Sequence, residues 1–90
     1  MKTLWKFPLE ATDVQTIRMP KNADIFKTAQ VQFDRICVWA AVDPEATMED
    51  REFHIMGTGH PMGDLSPANS TLLGTVQLAD GALVFHVFVK

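Results

Sequence analysis

The chain has little of several residue types that mark particular classes of protein. Its single cysteine, Cys37, cannot form an intrachain disulfide, which is typical of a protein from a reducing compartment. Lysine and arginine number 8 against 11 acids, for a net charge of -3, and this balance excludes a strongly basic nucleic-acid-binding protein. No apolar run approaches the roughly 18 to 20 residues that a membrane-spanning helix needs.

A secretory signal is also lacking. Residues 1–9 carry Lys2 and Lys6, but Pro8 interrupts the segment and no apolar h-region follows. We therefore expect a soluble, cytoplasmic protein with neither a membrane nor a nucleic acid among its partners.

The size of the chain predicts one domain over residues 1–90. Its 90 residues are 47% hydrophobic, which suits a globular protein. A domain this small buries only about 60% of the surface that its unfolded chain exposes. Because so small a core gives a thin stability margin, we expect a homo-oligomer.

Hydrophobic residues alternate with a period of two, which is typical of β-strands with one buried face. With no convincing helix, this predicts an all-β fold, a small antiparallel β-sandwich or barrel of about seven short strands. The strands are expected at Lys2–Leu9, Asp13–Met19, Ile25–Phe33, Ile36–Val42, Arg51–Met56, Leu72–Leu78 and Leu83–Val89.

The connecting residues predict which strands pair. The short Glu10–Thr12 link favours a hairpin of the first two strands, Asp34-Arg35 a second hairpin, and Asp80-Gly81 a third. The acid-rich segment Asp43–Glu52 is expected to be a solvated loop, with one frayed helical turn as the alternative. Both faces of Ile36–Val42 are apolar, so this strand should be central and covered on both sides, by a second sheet or a partner chain.

The sequence gives little support for an enzymatic function. Cys37 lies in mid-strand without a neighbouring cation to activate it, and neither Ser66 nor Ser70 belongs to a nucleophile elbow. We therefore expect no catalytic residues, no cofactor and no enzymatic activity.

The three histidines, His54, His60 and His86, do not have the spacing of a compact metal site, so no metal is expected. His86 is expected to be a core or interface histidine hydrogen-bonded to the backbone.

The most informative segment is Gly57–Gly63. Gly57 and Gly59 permit a positive φ, so successive backbone N–H groups could form a concave nest for an anion. Thr58 adds a hydroxyl, and His60 adds donors that become cationic below about pH 6.5. The segment favours a phosphate-binding site, although a conformationally demanding corner at a strand end would also explain it.

Other residues could complete such a site. Arg18, Lys21 and Arg51 are candidate partners of the anion, and Trp39 could stack on a base. The alternatives are solvated surface charges and a core tryptophan.

Five segments are distinctive in combination. They are Trp5–Leu9, Trp39–Pro44, Gly57–Pro61, Leu73–Val76 and Leu83–Phe88. Together they resemble a family of small proteins, encoded largely in bacteriophages and prophages and usually labelled as of unknown function. The resemblance covers essentially the whole chain, but the family has no assigned catalytic residues to carry over.

The resemblance implies a phage setting, in which small oligomeric proteins act against host defence. Some of them sequester nucleotide-derived immune signals in pockets at subunit interfaces. A non-enzymatic sponge of this kind, acting in the host cytosol on a small anionic ligand, is the leading hypothesis. The alternatives are a protein-binding inhibitor of a host defence enzyme and a minor structural or accessory phage protein.

Overall fold

The computed structural model describes residues 1–90 and consists of β-strands joined by turns and loops. It contains no helix that could cross a membrane. The eight strands are β1 (Thr3–Leu9), β2 (Val14–Pro20), β3 (Asp24–Ile25), β4 (Gln30–Gln32), β5 (Arg35–Val42), β6 (Met48–Gly57), β7 (Thr71–Leu78) and β8 (Leu83–Val89).

The strands form two antiparallel sheets of four strands each. In the first sheet, β5 pairs with β1 on one side and with the short strands β3 and β4 on the other; in the second, the order is β2-β6-β8-β7. A cluster of 14 buried apolar residues, drawn from both sheets, fills the space between them. The predicted all-β fold is confirmed, and its form is that of a two-sheet sandwich.

The structure has one strand more than the sequence predicted. The run expected at Ile25–Phe33 divides into β3 and β4. Phe26 still donates its backbone N–H to the carbonyl oxygen of Trp39 on β5, at 2.9 Å, but residues 27–29 leave the pairing with β5. Ala29 instead donates its backbone N–H to the carbonyl oxygen of Leu73, at 3.2 Å. This segment therefore bonds to the edge of the second sheet and joins the two sheets at one corner.

Gly74 makes this corner possible. β7 has an irregular register between Leu72 and Gly74, which places Gly74 against the backbone of Ala29. A Cβ at position 74 would lie 3.2 Å from Ala29 Cβ and 3.3 Å from its backbone nitrogen. Glycine is needed here because two backbones approach closely.

The predicted hairpin of the first two strands is wrong. β1 pairs with β5 and β2 pairs with β6, so the Glu10–Asp13 link passes from one sheet to the other. Gln15 takes the place of a strand neighbour at this corner: its side-chain amide accepts from Glu10 N–H at 2.9 Å and donates to Glu10 O at 2.7 Å. Alternation predicts which face of a strand is buried, but it does not distinguish a hairpin from a crossing between sheets.

β5 is the central strand that its apolar faces predicted. Val38 and Ala40 point into the core and are fully buried. On the outer face, the buried Cys37 donates to the carbonyl oxygen of Arg35, and Lys6 Nζ donates to Gln32 Oε1 from the opposite side of β5. The aliphatic part of a lysine side chain covers apolar surface well, so Lys6 shields part of the outer face of β5. The sequence analysis had expected a second sheet or a partner chain to provide this cover.

Only the first half of the acid-rich segment Asp43–Glu52 is a loop. Residues 43–47 do form a turn, but β6 begins at Met48 and includes three of the acids. Each has a partner: Asp50 pairs with Arg18 at 3.3 Å, Glu49 accepts from the backbone N–H of Asn22, and Glu52 pairs with His54. These contacts let the acidic segment join the sheet.

The other two predicted hairpins are present. Leu78 pairs with Leu83 across residues 79–82, which include Asp80-Gly81. Gln32 pairs with Arg35, which places Phe33 and Asp34 in a two-residue turn, one position earlier than expected. Both turn residues have positive φ, 51° for Phe33 and 63° for Asp34. This combination defines a type I′ turn, which strongly prefers Asn-Gly.

The turn sequence Phe33-Asp34 is therefore a source of local strain. We expect the double substitution Phe33→Asn with Asp34→Gly to raise the free energy of unfolding by about 1 kcal/mol, because both new residues tolerate positive φ. Urea unfolding followed by tryptophan fluorescence would measure the change. Unchanged or lowered stability would show that the turn is not strained.

Candidate functional site

The outer face of the second sheet carries the candidate site. Phe53 and Ile55 of β6 are buried in the core, and so are Val87 and Val89 of β8. Because side chains alternate along a strand, the residues between them point outward. These outward residues are Glu52, His54 and Met56 of β6, and His86 and Phe88 of β8.

The segment after β6 turns back over this face. His60 donates its backbone N–H to the carbonyl oxygen of Gly57 at 3.2 Å, and Gly59 has a φ of 93°. These features match a β-turn of type II, in which the third position requires positive φ. The imidazole of His60 packs on Gly57, where a Cβ would lie 3.2 Å from His60 Cε1.

The turn is attached to the sheet through His86. Its Nε2 lies 2.6 Å from Thr58 Oγ1, and its Nδ1 lies 2.9 Å from Thr75 Oγ1 on β7. A hydroxyl can either donate or accept a hydrogen bond. Both contacts therefore persist whether the imidazole is neutral or protonated. The expectation that His86 bonds to backbone is wrong: its partners are two threonine side chains on the outer face.

A second imidazole is fixed by an acid. His54 Nε2 lies 2.6 Å from Glu52 Oε2, and Lys90 Nζ lies 3.6 Å from the same oxygen. The hydrogen bond from His54, together with the charges of Lys90 and His54, lowers the pKa of Glu52 below its usual value of 4.5. An ionised carboxylate only accepts hydrogen bonds, so His54 carries its proton on Nε2 when it is neutral.

The turn and the sheet enclose two shallow, adjoining clefts. The first, of about 390 Å³, lies toward the start of β2, and Asp13, Val14, His54 and Pro61 are among its lining residues. The second, of about 200 Å³, lies toward β8 and is lined in part by Thr58, Gly59, His86 and Phe88.

Both clefts share Met56, His60 and Met62. The clefts together are called the histidine groove below. All three histidines of the chain line it, but no three His, Cys, Asp or Glu side chains group in a way that could hold a metal ion. The groove thus combines imidazole donors with thioether, aromatic and aliphatic surfaces.

Four of the eight residues proposed from sequence lie in this groove. Gly57, Thr58, Gly59 and His60 all line the second cleft. His60 N–H is already used inside the turn, so at most the preceding N–H groups could serve an anion. The anion-binding nest expected at residues 57–60 therefore lacks the N–H group of His60.

The other four residues lie elsewhere. Arg18 pairs with Asp50, which precedes Gly57 by seven positions on β6, or about 23 Å at the rise of a β-strand. Lys21 follows β2 at the same end, and Arg51 Nη1 donates to the carbonyl oxygen of Ala23 at 3.4 Å. Trp39 belongs to the first sheet, opposite Lys6. The structure brings none of them to the groove.

Sequence reasoning did not identify His54, Met56, Met62 and Phe88 as site residues. Alternation indicated that His54 and Met56 share a face, and that His86 and Phe88 share another. The missing information was the pairing of β6 with β8, which places His54 opposite Phe88 and Met56 opposite His86.

The fold is that of a small antiparallel β-sandwich with a groove on one outer face. The chain belongs to the family described as Domain of unknown function (DUF7352), whose model matches residues 1–90. This agrees with the expected membership of a family of unknown function. No curated protein and no solved structure matches the chain.

The Glu52–His54 contact makes a testable contribution to stability. Because the pKa of Glu52 is lower in the folded protein, the contact stabilises fully above pH 4.5 and is lost as the pH falls below that value. We expect Glu52→Gln to unfold more easily than wild type at pH 6, and the difference to shrink toward pH 3.

Urea unfolding across this pH range would measure the effect. Glu45→Gln, in the exposed turn before β6, is the matched control and should follow the wild-type curve. A constant difference between Glu52→Gln and wild type at every pH would contradict the assignment.

Proposed function

We propose that the protein binds a small phosphate-bearing ligand in the histidine groove and retains it without chemical change. The observation that carries this proposal is the arrangement of Thr58, His60 and His86 around the second cleft. The cleft offers a hydroxyl and two imidazoles beside the apolar side chains of Met56 and Phe88.

The Thr58–His86 contact would let the cleft respond to the charge of its ligand. When His86 Nε2 is unprotonated, the Thr58 hydroxyl donates to it and has no proton left for a ligand. When Nε2 is protonated, it donates to Thr58 Oγ1, and the hydroxyl proton becomes free to bind an anionic oxygen. An anion therefore favours the form of His86 that carries its proton on Nε2, which the neutral ring provides when the Thr75 hydroxyl donates to Nδ1.

The apolar part of the groove suits the remainder of a nucleotide-like ligand. The ring of Phe88 provides a face for stacking. Met56 and Met62 are flexible and polarisable, so they adapt to ligands of different shape. A base or other planar group could lie on these side chains while its phosphate contacts Thr58 and His60.

Retention without catalysis is supported by the chemistry of the lining. The only hydroxyl lining the second cleft, that of Thr58, is hydrogen-bonded to His86, and the only thiol, Cys37, is buried in the first sheet. The Thr58–His86 contact places a base beside a hydroxyl, as a nucleophilic site requires, but the partner of His86 Nδ1 is the Thr75 hydroxyl and not the carboxylate that stabilises the imidazolium of a catalytic triad. The groove provides donors and contact surface, which are sufficient for sequestration.

The family resemblance suggests the biological setting. In a phage or prophage protein, a groove of this kind would bind a nucleotide-derived immune signal of the host cell and thereby lower its free concentration. This setting rests on analogy at the level of context.

Native mass spectrometry tests the proposal. The protein would be purified from cells with an active nucleotide-signalling defence system and from cells that lack it. We expect an added mass of about 300 to 1,000 daltons per bound ligand, the range of nucleotides and their small conjugates, only in the first sample. Unliganded protein in both samples would contradict the proposal.

Matched variants locate the site. Thr58→Val keeps the shape of the side chain but removes the hydroxyl, and His60→Ala removes one imidazole; each should weaken binding by at least about tenfold. Arg18→Ala and Lys21→Ala, at the far end of the sheet, should bind as wild type does. If the arginine and lysine variants lost binding and Thr58→Val retained it, the groove would not be the site.

A protein-binding inhibitor is the second candidate, and the free edge of the first sheet favours it. β1 pairs only with β5, so its other edge has unpaired backbone groups along seven residues. An extended segment of a host enzyme could add to this edge as a further strand. Such an inhibitor would remain active with both Thr58→Val and His60→Ala.

A further inference from the structure

The first cleft of the histidine groove collects side chains of the kind that bind soft metal ions. His54 and His60 contribute imidazole nitrogens, and Met56 and Met62 contribute thioether sulfurs. The chain has only three histidines and five methionines, and two of each line this one cleft of about 390 Å³. Histidines and acids alone do not form a metal site here, but a thioether is also a ligand for a soft ion.

The four side chains approach the cleft from two sides. His54 and Met56 lie two positions apart on β6, so both point outward from the same face of the strand. His60 and Met62 are also two positions apart, in the segment that turns back over this face after Gly57. The strand and the returning segment therefore each contribute one imidazole and one thioether.

Both nitrogens of the His60 imidazole are free to bind a ligand. The ring packs on Gly57, where a Cβ would lie 3.2 Å from His60 Cε1. The imidazole hydrogen bonds of the chain all belong to His54 and His86. The glycine contact thus limits where the His60 ring can lie while its polar atoms have no partner in the chain.

The contact of His54 with Glu52 occupies only one of the two imidazole nitrogens. Nε2 donates to Glu52 Oε2 at 2.6 Å, which leaves Nδ1 of the neutral ring with a lone pair. Nδ1 has no hydrogen-bond partner, and the structure has no buried side-chain nitrogen without one, so Nδ1 is accessible from the surface. A histidine that binds a metal through one nitrogen almost always donates its other N–H to a carboxylate, a backbone carbonyl or water. The Glu52–His54 pair has this arrangement.

The donor atoms select a soft, monovalent ion. Thioethers favour Cu(I) and imidazole also suits copper, whereas Mg²⁺ and Ca²⁺ require several oxygen ligands. Asp13 is the only carboxylate that lines the first cleft. One carboxylate is too few for a hard divalent ion, but its charge balances that of a monovalent cation.

We propose that the first cleft binds one Cu(I) ion through His54, Met56, His60 and Met62, and that Glu52 positions the imidazole of His54. The proposal goes beyond the function proposed above, in which the phosphate contacts lie in the second cleft. Since His60 lines both clefts, the ion and the phosphate-bearing ligand would compete for it, whereas His54 lines the first cleft alone.

Nuclear magnetic resonance of the methionine methyl groups tests the site. The chain has five methionines, so ¹³C-methyl labelling gives five signals, from Met1, Met19, Met48, Met56 and Met62. Ag⁺ serves as the probe because it is a soft monovalent ion that needs no reductant. We expect one equivalent of Ag⁺ to shift the signals of Met56 and Met62 and to leave the other three in place. A roughly tenfold excess of Zn²⁺, which prefers thiolate, imidazole and carboxylate ligands, should not reverse the shifts.

Matched variants measure the contribution of each thioether to Cu(I) affinity. Met56→Leu and Met62→Leu nearly conserve the volume of the side chain and remove the sulfur. In competition with a Cu(I) chelator under anaerobic, reducing conditions, each should bind at least about tenfold more weakly than wild type. Met48→Leu is the control: Met48 lies eight positions before Met56 on the same strand and is 45% exposed. It should bind as wild type does.

The imidazole of His54 and its positioning by Glu52 are tested separately. In ¹⁵N spectra of the histidine side chains, Ag⁺ should shift Nδ1 of His54 while Nε2 keeps its proton. Glu52→Gln should weaken Cu(I) binding by about 10- to 100-fold, because a side-chain amide no longer fixes which nitrogen carries the proton. His54→Asn should lose Cu(I) affinity to a similar degree and should still bind adenosine monophosphate as wild type does.

Three results would overturn the proposal. They are Met56 and Met62 signals that Ag⁺ does not move, Met1 and Met48 signals that move as strongly, which would show adventitious binding to exposed thioethers, and Met56→Leu and Met62→Leu variants that bind Cu(I) as Met48→Leu does. Circular dichroism would confirm that each variant is folded. Loss of the metal site with nucleotide binding intact would leave the proposed function standing, and the reverse result would remove the proposed function alone.

Discussion

The alternation of side chains along β6 and β8 is the constraint on which the groove depends. Phe53, Ile55, Val87 and Val89 must all face the first sheet, because they supply part of the only core that 90 residues can build. A shift of either strand by one residue would expose this set to water. The same constraint turns every intervening residue outward, so burial of the core and placement of the imidazoles are consequences of one register.

The loop after β6 depends on that register in turn. β6 pairs with β2 over its first part and with β8 over its last, where Met56 lies opposite His86. The pairing of β7 with β8 places Thr75 on the other side of His86, which also contacts Thr58. The hydroxyl–imidazole–hydroxyl contact then holds the glycine turn above Met56 and Phe88. Since each hydroxyl can either donate or accept, the proton of His86 can lie on Nε2 or on Nδ1 without releasing the loop.

The sequence predicted the burial of residues more successfully than their pairing. Period-two alternation located most strands, because the apolar side chains of a strand lie on its buried face. The central position of β5 followed from its two apolar faces. It could not show that β1 and β2 belong to different sheets, since the hydrogen bonds of Gln15 to Glu10 replace the strand contact that a hairpin would make. Of the site, the Gly57–His60 turn was found from its glycines. The four residues proposed from charge or aromatic character, Arg18, Lys21, Arg51 and Trp39, could be judged only once the sheets had been assembled.

Two regions could attract a phosphate-bearing ligand: the histidine groove, and the opposite end of β2 and β6, where Arg18, Lys21 and Arg51 lie. Chemical-shift mapping of the ¹⁵N-labelled protein, with adenosine monophosphate as the probe, distinguishes them most directly. Our account predicts shifts concentrated at residues 56–62 and at His86 and Phe88. Shifts confined to the arginine and lysine end of the sheet, or none at millimolar probe, would contradict it.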